Sequence, residues 1–153
     1  MKPEKDYWEI EAYLRDPEGG RECFWMGPAV FWIDWREYDE DIARAVSESL
    51  PPEDAFSFAV RDSVLPRGID ILLDGEPIPY APDRLDRDTT LKAVQARLAP
   101  DYQLRFWVPS AGGDILGFCL LSAESWRRLE EEFGVRAVAR CFQPIGENSR
   151  LFG

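Results

Sequence analysis

The sequence predicts a single α+β domain over residues 1–153, a mainly antiparallel or mixed β-sheet with about three α-helices packed on it. Three observations carry that expectation. The 153 residues are 45% hydrophobic and 13% aromatic, enough to build one core at the usual domain size. Several short stretches alternate apolar and polar with period two, while a few longer ones repeat at three to four. Gly, Pro and Asp-Gly punctuation falls between them.

Residues 7–14, YWEIEAYL, alternate with Trp8, Ile10, Ala12 and Leu14 on one side and Glu9 and Glu11 on the other, which predicts a half-buried strand. The run DPEGG at 16–20 supplies turn chemistry. Residues 22–26 and 29–35 continue as a second and third strand separated by Gly27 and Pro28, so the N-terminal part reads as an antiparallel meander. A helix follows from about Asp39 to just before Pro51. Tyr38, Ile42, Val46 and Leu50 form its stripe, and Asp39, Glu40 and Asp41 sit in the first turn, where the helix dipole favours anions.

Residues 55–60 and 69–73 predict two further strands, with Asp74-Gly75 as a hairpin turn. The return segment holds Pro77 and Pro79, which restricts it to an edge or an extended loop. A helix is expected at about 89–98 with Asp88 as N-cap and Leu91, Val94 and Leu98 inward. Residues 102–108 alternate, with Leu104, Phe106 and Val108 opposite Gln103, Arg105 and Trp107. Residues 115–121, ILGFCLL, are apolar on both sides and belong at the centre of a sheet. Ser122 caps the last helix, whose face is Trp126, Leu129 and Phe133, and Gly134 ends it. Residues 135–142 read as the final strand. The tail, 143–153, ends in Leu151 and Phe152 and is expected to be loose or lightly docked.

The formal net charge is −11, from 29 acidic and 18 basic residues. That excludes a direct nucleic-acid binder, which needs a basic face to displace counterions, and docking on an anionic membrane. No stretch approaches the ~20 apolar residues of a membrane span. The first residues have no apolar run of the signal-peptide kind. Cys23, Cys119 and Cys141 each read as a small buried hydrophobe in a reducing compartment, so a cytoplasmic protein is expected. With no histidine in the chain, Ser-His and Cys-His nucleophiles and His-containing zinc sites are absent. No cofactor, metal or enzymatic activity is expected.

One concentration of chemistry remains. Residues 34–54 hold eight acids against two arginines, a net charge of −6. Trp32, Asp34, Trp35, Glu37, Tyr38, Asp39, Glu40 and Asp41 are therefore the candidate partner-binding residues. Aromatic anchors ringed by charge are the usual composition of interface hot spots, and an acidic surface suits a partner with a basic one. Asp39–Asp41 lacks the alternate spacing and Gly of a calcium loop. Asp70 and Asp74, with Glu76, could form an acid–base carboxylate pair on adjacent strand ends, but solvent-facing strand residues are the plainer reading. The glycines of PSAGGD precede an apolar strand rather than a helix, so they make no phosphate loop.

In size, acidity, tryptophan content and missing catalytic motifs the chain resembles the small immunity proteins that bacteria encode beside secreted toxins. The resemblance implies a non-catalytic inhibitor that occludes a toxin or nuclease active site, acting as a monomer or small homo-oligomer. The alternative is a small-molecule-binding or carboxylate-based enzyme domain with an aromatic pocket.

Overall fold

The structure is a computed structural model that describes residues 4–34, 36 and 38–152. Among these residues the chain is α+β, with six α-helices and two antiparallel sheets. In order they are α1 (Lys5–Arg15), α2 (Pro17–Met26), β1 (Phe31–Asp34), α3 (Asp39–Ser49), β2 (Phe58–Asp62), β3 (Ile69–Leu73), β4 (Glu76–Pro77), α4 (Arg87–Leu98), β5 (Tyr102–Trp107), β6 (Ile115–Ser122), α5 (Ala123–Phe133), α6 (Val135–Cys141) and β7 (Phe142–Pro144). The chain divides into two compact units. Met1–Trp35 with Leu98–Ile145 form the first; Arg36–Arg97 with Gly146–Gly153 form the second.

The first unit is built on a four-stranded sheet of order β1-β6-β5-β7. β6 lies inside it, as its unbroken apolar run requires. Its neighbours β1 and β5 pair with it antiparallel, Trp32 facing Gly117 and Arg105 facing Cys119. Helices α1, α2, α5 and α6 contribute Tyr7, Ile10, Tyr13, Phe24, Trp126 and Val138 to one core with Trp107, Cys119, Leu121 and Phe142 of the sheet. Burying each large apolar side chain is worth about 1.5–3 kcal/mol. Gly117 is a close-approach glycine: a Cβ there would meet Val30 at 2.8 Å, Trp32 at 3.1 Å and Trp107 at 3.3 Å.

The expected N-terminal meander is instead a pair of helices. Tyr7, Ile10, Tyr13 and Leu14 are the buried residues of α1, whereas Trp8 is 55% exposed. That is the spacing of a helix face, not a strand face. The DPEGG run is a helix start rather than a turn. Asp16 accepts the N–H of Gly19 and Pro17 takes the first helical position, where its missing N–H costs nothing. Cys23 consequently lies on the open side of α2 and is exposed, while Cys119 and Cys141 are buried as expected.

Gly134, with φ of 91°, ends α5, but the chain re-enters a helix as α6 and only Phe142–Pro144 forms the final strand. On β5 the side expected to be polar faces the helical core. Trp107 has no exposed surface and Arg105 keeps 4%.

In the second unit β2, β3 and β4 make a three-stranded antiparallel sheet. The hairpin at Asp74-Gly75 is as expected, with positive φ at both residues, 48° and 84°. β4, carrying Pro77, is an edge strand. Helix α3 begins and ends where the sequence places it. Ile42, Val46 and Leu50 face inward, Ser47 Oγ donates to the Phe56 carbonyl at 2.7 Å, and Arg44 lies over the Phe58 ring. The cap of α4 is Asp86, not Asp88. Asp86 accepts the N–H and hydroxyl of Thr89 at 2.7 and 2.6 Å. Asp88 instead accepts the N–H of Leu151 at 2.7 Å and of Phe152 at 3.2 Å, so the end of the tail is docked.

Candidate functional site

The eight candidate residues divide between the two units. Trp35 and Glu37 lie outside the described residues. In the first unit Trp32 is half-buried, its ring 4.5 Å from Trp25 and 6.0 Å from Trp107. It is a member of an aromatic cluster rather than a free anchor. Asp34 is half-buried at the end of β1, opposite Ile115.

In the second unit Tyr38, Asp39, Glu40 and Asp41 come together at the head of α3, and they differ in kind. Tyr38 is 74% exposed, the least covered aromatic of the described residues. Asp41 turns back to accept the Tyr38 N–H at 3.1 Å and also takes a 2.6 Å contact from Arg44. This closes the helix start, satisfying a donor that the helix itself cannot. Glu40 is half-exposed, and Glu48, Glu53 and Asp54 further along are open to solvent.

Asp39 is not a surface residue, contrary to the expectation. It is 8% exposed and accepts the Thr90 hydroxyl at 2.6 Å. Thr90 Oγ1 in turn lies 2.6 Å from the Tyr80 hydroxyl. Thr90 spends its proton on Asp39, so Tyr80 donates and the three form a chain. Burial raises the Asp39 carboxyl above its ordinary value, against the lowering effect of the Thr90 hydrogen bond. The same burial pushes the Tyr80 phenol up. These groups tie α3, α4 and the segment after β4 together.

The carboxylates Asp70 and Asp74, read with Glu76 as a candidate acid–base pair, are both held by arginine. Asp70 takes Arg67 at 2.6 Å and Arg61 at 3.4 Å. Asp74 pairs with Arg97 and accepts the N–H and hydroxyl of Ser57. The Arg67 hydrogen bond holds Asp70 below its ordinary value of 3.8; the Ser57 N–H does the same for Asp74. A general acid needs the opposite displacement.

These shifts set a pH dependence. Near pH 4 the unfolded state binds more protons at Asp70 and Asp74 than the native state does, so stability rises with pH there. Their contribution is complete above about 3.9 and is lost as pH falls through the lower native values. Asp39 has the reverse sign: its native carboxyl holds a proton longer, so its contribution falls as pH rises through the raised value. The melting temperature is therefore expected to drop steeply below about pH 4. Asp70→Asn should flatten that slope, and Asp39→Asn should not; the measurement is a melting series from pH 2.5 to 7 in steps of about half a unit.

No cluster of three or more Cys, Asp or Glu side chains suited to a metal ion occurs among the described residues. No helix among them is long and apolar enough to cross a membrane. No family model, curated protein or solved structure matches the chain.

Proposed function

We propose that the chain is a non-catalytic, acidic protein-binding domain that meets a basic partner. The finer role is that of an immunity-type inhibitor, occluding the cleft of a toxin or nuclease. The observation that supports this reading is the head of α3, where the Tyr38 ring stands 74% exposed next to the carboxylates of Glu40 and Asp41. An exposed aromatic of this size is costly to leave in water and valuable at an interface. The surrounding charge would speed encounter with a cationic surface. Glu40 and Glu48 lie two helical turns apart on the outer side of α3, the side opposite Ile42 and Val46, and so extend the same surface.

Asp39 and Asp41 are left out of the test because each holds the fold locally. The variant Tyr38→Ala/Glu40→Lys/Glu48→Lys is expected to keep the wild-type circular dichroism and melting curve. It should lose capture of one stoichiometric basic protein from a lysate of the source cells by at least about tenfold, with the wild type itself weakening as salt rises. Equal capture by wild type and variant at both low and high salt would remove this surface from the reading.

A further inference from the structure

Two adjoining hollows in the second unit go beyond protein binding. The smaller, of about 350 Å³, is lined by Arg84, Arg87, Lys92 and Arg150 together with Phe152. Four cations on one hollow are unexpected in a chain of net charge −11. The acids at the same place, Asp86 and Asp88, are engaged by backbone N–H groups, Asp86 by Thr89 and Asp88 by Leu151 and Phe152. They offset two of the four positive charges. The side chains of Arg84, Lys92 and Arg150 make no hydrogen bond or ion pair with any of the described residues. Arg87 is set against the Phe152 ring at 5.9 Å. The helix terminus contributes little by itself, because Asp86 already caps it.

The larger hollow, of about 600 Å³, runs between α4 and the segment from β3 through Pro79. Thr89 and Lys92 line both hollows, so the two adjoin along that edge of α4. Its floor on α4 is Ala93 and Ala96, whose small side chains leave the space unfilled. The opposite wall is Leu73, Pro77, Ile78 and Pro79. The prolines have no N–H to offer, so this wall has few backbone donors, and the carboxylates of Glu76 and Glu147 stand on the lining as well. The far end holds the Asp74–Arg97 ion pair, which presents no unsatisfied charge. Both volumes fall in the ~300–1,000 Å³ range of small-molecule sites.

We propose that the second unit binds an amphipathic anion. Its phosphate or carboxylate sits among Arg84, Lys92 and Arg150, and its acyl or aryl body lies along Ala93 and Ala96. The cationic end supplies charge-assisted hydrogen bonds to an oxyanion. The groove supplies apolar burial that an inorganic anion cannot use, so the two ends select for a molecule that has both.

The test uses the whole chain and monomeric octyl phosphate, with inorganic phosphate and octanol as half-ligands, read by calorimetry and by the shift in melting temperature. Octyl phosphate is expected to bind saturably and at least about tenfold more tightly than either half-ligand. Arg84→Ala/Arg150→Ala, both exposed positions, should weaken octyl phosphate by about tenfold or more without lowering the melting temperature of the free protein. Ala96→Trp, which fills the groove from an exposed helix position, should bring octyl phosphate down to the affinity of inorganic phosphate. Octyl phosphate binding no better than the half-ligands, or unaffected by both variants, would overturn the proposal. So would sedimentation with anionic lipid vesicles in the absence of any binding of the monomeric probe, since that pattern belongs to a membrane surface.

Discussion

Truncating Trp107 to alanine is expected to destabilise the protein by about 3–5 kcal/mol, the range for a large aromatic removed from a packed core. Trp107 is fully buried on β5. Its ring centroid lies 5.1 Å from Phe24, 5.7 Å from Trp25, 5.9 Å from Tyr13 and 6.0 Å from Trp32. One side chain of β5 thus meets rings from α1, α2 and β1 of the same sheet. Since whole domains are stable by only about 5–15 kcal/mol, a substantial part of that margin would go. The melting temperature should fall by roughly 10 °C, at ~2–4 °C per kcal/mol for a chain of this length. Trp107→Phe should lose much less. A change of under 1 kcal/mol for the alanine variant, measured by urea unfolding, would contradict the central place given to this ring.

The second large effect concerns Arg105, a cation with 4% exposure. Its guanidinium lies 4.5 Å over the Trp126 ring, donates from Nε to Gln103 at 2.7 Å, and meets Glu130 at 3.4 Å. Desolvation lowers the Arg105 pKa, and Glu130 opposes that shift. Nη1 finds no hydrogen-bond partner. Removing Glu130 leaves a buried charge with little to answer it. Glu130→Ala should cost about 3 kcal/mol, the lower end for a broken buried pair, because the Glu130 side chain keeps 24% of its exposure. Arg105→Met should be close to neutral or stabilising, since an unbranched apolar stem keeps much of the packing and abolishes the desolvation penalty. The double variant should therefore be more stable than Glu130→Ala alone. A double variant no more stable than Glu130→Ala alone, or an Arg105→Met variant clearly less stable than the wild type, in the same urea titrations, would contradict this reading.

The parts legible in sequence were those with local signals. Asp74-Gly75 states its own turn, Pro51-Pro52 states the end of α3, and ILGFCLL states a central strand. The N-terminal pair of helices was not legible because YWEIEAYL satisfies two periods at once. Trp8, Ile10, Ala12 and Leu14 suit a strand, while Tyr7, Ile10, Tyr13 and Leu14 suit a helix. The choice is made by Phe24 and Trp107, which only the helical face reaches. Arg105 misled for a different reason: a charge in an alternating strand reads as solvent-facing, and nothing nearby in sequence announces the Trp126 ring beneath it.

The candidate site divides the same way. Glu40 and Asp41 lie where a first-turn acidic run should place them, whereas Tyr38, read as part of the inward stripe with Ile42 and Val46, stands 74% exposed ahead of the helix. Asp39 is indistinguishable from its neighbours in sequence, and its burial is set by Thr90, 51 residues away. The basic hollow also went unread, because Arg150 joins Arg84 and Lys92 only through the docking of the tail on Asp88.

The interleaving of the two units also bears on how the chain acquires its structure. In the first unit β1 pairs only with β6, more than 80 residues later, and β7 completes the sheet last. The second unit draws nearly all of its residues from one continuous stretch, and its β2–β3 hairpin closes over a short loop. Loop-closure entropy favours the short connection, so the inserted stretch is expected to organise first. Until β5 and β6 have been made, α1 and α2 have no sheet on which to bury Tyr13 and Phe24. The aromatic segment that ends up as the densest core is thus the one left exposed longest during synthesis, and it is where a folding chaperone would have most to cover.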